Sequence, residues 1–92
     1  MSKRFAHTWP APQEPIIYLV QIPPGEIAYV NSVIEAYEGL GIVRTRDQAR
    51  GVIEIWIMRW GDDIFKRIVQ ELSKDIPFTF ISTKEKRYDF ET

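Results

Sequence analysis

The side chains able to do acid–base, metal or anion chemistry are few in this chain, and they are scattered along it. His7 is the only histidine. It lies in the N-terminal tail, so histidine-based proton transfer and nucleophilic triads lack a credible partner. Asp62 and Asp63 follow Gly61, where acids at a helix start cap it and complement its dipole rather than hold a metal. Glu35 and Glu38 lie three apart on a predicted helix and could share a cation, but no histidine accompanies them and a solvated helix face accounts for both. Pro23-Pro24-Gly25-Glu26 precedes that helix, and N–H groups at a helix start can receive a carboxylate. Pro24, Gly25 and Glu26 are therefore the candidate ligand-binding residues, with Glu26 opposing an anion. Cysteine is absent, which excludes disulfides and thiolate metal sites and suits a reducing compartment. The expectation is a non-enzymatic protein with no catalytic residue, no metal and no cofactor.

Charge and composition narrow the partners. Twelve basic and thirteen acidic residues leave a net charge of −1, without the general attraction for phosphate backbones that a dedicated nucleic-acid binder carries. Arg44, Arg46 and Arg50 do gather around one predicted hairpin, as a solvated sheet edge also would. Residues 1–14 hold Lys3, Arg4 and His7 but no apolar run long enough for a signal-peptide core or a membrane span. The expectations are no nucleic acid, no membrane and a cytoplasmic location. Pro10, Pro12 and Pro15 make residues 1–15 an extended, Pro-containing tail. Its large apolar groups, Phe5 and Trp9, are candidates to dock on the same or a neighbouring subunit.

The elements follow from periodicity. Residues 16–22 are almost continuously apolar, as in a central strand covered on both faces, and Pro23-Pro24 ends them. A helix is predicted over residues 25–38, with Ile27, Val30, Ile34 and Tyr37 on one face, Gly39 as its left-handed cap and Leu40 folding back onto it. Residues 42–46 form a shorter, more polar strand. The loop at residues 47–51 turns it into a strand over 52–58, which alternates Ile53, Ile55 and Ile57 with Val52, Glu54, Trp56 and Met58. Asp62 is the predicted N-cap of a second helix whose stripe is Ile64, Phe65, Ile68, Val69, Leu72 and Ile76, stopped by Pro77. A last strand covers residues 78–83, and residues 84–92 read as a C-terminal tail.

Strand, helix, strand, strand, helix, strand with right-handed crossovers gives a ferredoxin-like α+β sandwich over residues 16–83: a four-stranded antiparallel sheet with both helices on one face. The first and third strands are central. The sheet's second face should then be polar in a monomer, yet either register of the first strand leaves apolar side chains there. Tyr18, Val20, Val52, Trp56 and Met58 are the candidate interface residues. Large apolar patches mark contact sites, so the expected partner is a second copy or another protein.

The run Ile22-Pro23-Pro24-Gly25-Glu26-Ile27-Ala28-Tyr29-Val30, the stretch Glu35-Ala36-Tyr37-Glu38-Gly39-Leu40-Gly41-Ile42-Val43-Arg44-Thr45 and the later Gly51-Val52-Ile53-Glu54-Ile55 resemble a small bacterial family catalogued as domain of unknown function 4911. The likeness covers residues 16–76. It implies a short cytoplasmic α+β domain and supplies no activity. The topology is also that of ACT domains, and similarity to them implies a small metabolite such as an amino acid near the first strand–helix loop. RNA-recognition motifs share the topology too, but the positions that would carry their stacking aromatics hold Val52 and Glu54. The functional expectation is a domain acting through self-association or protein contacts, with an ACT-like regulatory module as the alternative.

Overall fold

The computed structural model describes residues 15–85. Strand β1 (Ile16–Gln21) leads through a 3₁₀ turn (Pro24–Glu26) into helix α1 (Ile27–Ala36). Strands β2 (Gly41–Asp47) and β3 (Val52–Ile57) form the hairpin. A second 3₁₀ turn (Arg59–Gly61) precedes helix α2 (Asp62–Leu72), and strand β4 (Thr79–Glu85) completes the sheet. The sheet order is β2-β3-β1-β4 with every neighbouring pair antiparallel. This is the expected ferredoxin-like α+β sandwich, with β1 and β3 central. Among the described residues no helix is long and apolar enough to cross a membrane.

The pleat assigns each side chain to a face. Tyr18 stands opposite Ile55 and Val20 opposite Ile53, so both share the face of Ile53, Ile55 and Ile57. That face packs with Val30 and Ile34 of α1 and Phe65 and Ile68 of α2 in a single core. Tyr18 and Val20, expected at an open interface, are thus 7% and 0% exposed beneath the helices. The reason is the two-residue period of a strand. Ile16, Tyr18, Val20 and Ile22 form the longer apolar set and take the helix side, which leaves Ile17 and Leu19 on the other.

Strand ends shift by one or two residues, and β4 takes in Lys84 and Glu85 from the expected C-terminal tail; three helix boundaries differ for a physical reason. Tyr37 leaves α1 in an extended conformation, and Gly39 adopts its left-handed φ of 76° in the turn that follows rather than as the cap itself. Asp62 is the first residue of α2, not its cap; Gly61 precedes it without a capping side chain. The Asp62 carboxylate instead accepts the hydroxyl proton of Tyr18 and pairs with Lys66 at 3.1 Å. A phenol pressed under a helix needs an acceptor, and this one takes the acid that would otherwise cap. α2 also ends four residues before Ile76, which is buried after a non-helical turn whose Ile76 N–H donates to the Leu72 carbonyl at 2.8 Å.

Candidate functional site

The face away from the helices is ordered in rows by the ladder. Ile42, Trp56, Ile17 and Lys84 stand in register across all four strands, then Arg44, Glu54, Leu19 and Ser82, then Asp47, Val52, Gln21 and Thr79. Of the interface candidates, Val52, Trp56 and Met58 belong here and are half-buried. Ile42 at the β2 edge is 50% exposed. The first row is therefore apolar over three strands, and the second is polar on three and broken by Leu19.

Glu54 organises that polar row. The indole N–H of Trp56, two residues on along the same face, donates to Glu54 Oε1 at 2.9 Å, and Arg46 Nη1 donates to Oε2. The Arg44 guanidinium lies over the Trp56 ring, 5.5 Å from its centroid, in range of a cation–π contact. The indole hydrogen bond, opposed by burial and supplemented by the two guanidinium groups, holds the Glu54 carboxyl below the usual carboxylate range. A side-chain clasp thus fixes Trp56 with its edge toward Glu54 and a cation on its face.

Beside the clasp lies an apolar recess of about 240 Å³, lined by Pro15, Gly39, Gly41, Ile42, Trp56 and Met58. Gly41 makes this close approach of β2 possible, since a Cβ there would stand 2.1 Å from the Trp56 carbonyl oxygen. The Met58 N–H donates to the Leu40 carbonyl at 2.9 Å and locks the same corner. Sequence reasoning placed Trp56 and Met58 on this face but missed Ile42 and the glycines. Their signal was the run Gly39-Leu40-Gly41-Ile42, in which Gly39 and Leu40 read as the end of a helix and Ile42 as the start of a polar strand.

The candidate ligand loop has a different character. Pro24, Gly25 and Glu26 form the 3₁₀ turn before α1, closed by the Glu26 N–H on the Pro23 carbonyl at 2.9 Å, with no side-chain cap. A shallow recess of about 270 Å³ is lined by Gln21, Ile22, Pro23, Pro24, Arg50, Pro77 and Thr79. Pro24 borders it; Gly25 and Glu26 do not. Its cation, Arg50, sits 3.7 Å from Asp47 and is largely exposed. A larger groove of about 430 Å³ runs between the helices, with Tyr29 and Tyr37 on one wall and Ile64 and Leu72 on the other. Glu35 and Glu38 are exposed, and among the described residues no group of three or more His, Cys, Asp or Glu could hold a metal ion. His7, Phe5 and Trp9 lie outside the described residues.

A family model described as a domain of unknown function (DUF4911) matches residues 20–76, more than half of the 92-residue chain. The chain belongs to the DUF4911 family. The matched span runs from within β1 to Ile76, so the family pattern takes in both helices, the hairpin, the clasp and most of the recess, and stops short of β4. No curated protein and no solved structure matches the chain.

Proposed function

We propose that this protein is a small non-enzymatic contact module that self-associates through the open face of its sheet. The observation that carries this reading is the apolar row Ile42, Trp56 and Ile17 beside the Met58 recess, on a face that neither α1 nor α2 covers. The Glu54 clasp supports it, because a pre-set indole loses little rotamer freedom on contact and aromatic anchors carry most of the energy of protein interfaces. In the full-length chain, Trp56→Lys is expected to convert a dimer to a monomer by light scattering. Ile42→Lys, at a half-exposed edge position, should do the same with less risk to folding. An unchanged mass for both folded variants would refute the reading.

A second reading, an ACT-like module for a small anionic metabolite such as an amino acid, draws on the recess that Pro24 shares with Arg50. A thermal-shift screen against amino acids tests it, since a ligand at about 100 times its dissociation constant adds about 2.7 kcal/mol. No shift with any of them would remove it.

A further inference from the structure

We propose that the open face of the sheet binds the helix layer of a second copy, so that copies associate head to tail. The inference rests on the proposed reading of the open face and names its partner surface. Its first support is the composition of α1. In Ile27–Ala36 the one charged residue is Glu35, and Ala28, Tyr29, Ser32 and Ala36 are exposed and uncharged. The exposed positions of α2 instead hold Asp63, Lys66, Arg67, Gln70 and Glu71. A helix apolar nearly all round is one covered on both sides, and the core covers α1 only through Ile27, Val30 and Ile34. Its uncovered flank opens into the groove of about 430 Å³ between the helices, where Tyr29 and Tyr37 are 52% and 46% exposed.

Charge selects the occupant. On the sheet and its hairpin Arg46 pairs with Glu54 and Arg50 with Asp47, which leaves Arg44 and Lys84 with no acid to neutralise them among the described residues. On the helix layer Lys66 pairs with Asp62 and Lys74 with Glu71, which leaves Glu26, Glu35, Glu38, Asp63 and Asp75 against Arg67 alone. The apolar row of the sheet thus lies in net positive charge, and the apolar groove in net negative charge. Two open faces pressed together set cation against cation, whereas an open face on a helix layer brings opposite charges together. The two surfaces are on opposite sides of one chain, so the contact is heterologous and each added copy leaves one surface of each kind free.

The test is complementation between blocked surfaces, in the full-length chain, by sedimentation. The parent is expected to form a pair at low concentration and to grow past it as concentration rises. Trp56→Lys blocks the open face, and Tyr29→Lys, at a half-exposed position, puts a cation into the groove; each alone should associate at least about tenfold more weakly. Tyr37→Lys repeats the groove block at a second exposed site, and circular dichroism checks that every variant is folded. An equal mixture of Trp56→Lys and Tyr29→Lys should recover the pair and nothing larger, because each brings the surface the other has lost. A parent mass that stops at two copies, or a mixture that stays monomeric, overturns the head-to-tail contact. If both groove variants associate like the parent while Trp56→Lys dissociates, the helix layer is not the partner surface and the open-face reading stands. If neither surface alters the mass when blocked, both readings fail.

Discussion

The two faces of the sheet are built from the same strands by opposite chemistry. On the helix side β3 presents Ile53, Ile55 and Ile57, each 0% exposed, against Tyr18 and Val20 of β1 and the helix residues Ile34 and Phe65. On the open side the same strand presents Val52, Glu54 and Trp56, and what holds them is a hydrogen bond, an ion pair and a stacked guanidinium. The first face excludes water and carries the stability of the fold, at about 1.5–3 kcal/mol per large side chain buried. The second keeps its shape through polar contacts among half-buried side chains. That difference separates the two faces, because side chains of the open face can be changed without loss of the core.

The sharpest way to break the comparison is to damage the covered side. Phe65, 1% exposed and 4.8 Å between ring centroids from Tyr18, is expected to cost about 3–5 kcal/mol when changed to Ala, read as a lower midpoint in chemical denaturation. A loss below about 1 kcal/mol would show that α2 is not an integral part of the core. A finer cut is Tyr18→Phe, which keeps the ring and removes the hydroxyl that Asp62 accepts. It should cost about 1–2 kcal/mol by the same measurement, and Asp62 keeps Lys66 at 3.1 Å. The same loss in an Asp62→Ala background, which has no acceptor, would show that the hydroxyl contributes through something other than Asp62.

The covered face was legible in the sequence because its signal is periodic. Ile53, Ile55 and Ile57 alternate, Ile27, Val30 and Ile34 recur at helical spacing, and Pro23 and Pro77 mark stops, so element order and topology followed from pattern alone. The face of β1 was not legible. With Ile16, Ile17, Tyr18, Leu19, Val20 and Ile22 nearly all apolar, period two has no contrast to read, and Tyr18 and Val20 went to the wrong side. The clasp was invisible for another reason. Arg44 and Arg46 read as charge on an edge strand and Glu54 as one position of an alternating central strand, and only the β2–β3 register, with its irregularity between Thr45 and Asp47, brings Arg46 to Glu54. Asp62 misled as a cap because its competing donor, Tyr18, lies 44 positions away in the chain.

The clasp itself gives the smallest effect and the most informative sign. Glu54 is held below its ordinary value of 4.5, first by the Trp56 indole, then by Arg46 and Arg44 against a burial penalty. A carboxyl with a depressed folded-state pKa contributes stability that is fully present above its unfolded value and is lost as pH falls through the folded one. Glu54→Gln should therefore be less stable than the parent chain at neutral pH by no more than about 1 kcal/mol, since Arg46 is mostly exposed and solvent screens the pair. Glutamine keeps an acceptor for the indole, so what disappears is the charge. The gap between the two proteins should narrow once pH drops below 4.5 and close when Glu54 is protonated in both states. A gap that stays constant down through that range would mean that the carboxylate charge contributes nothing, and that Trp56 is oriented by packing alone.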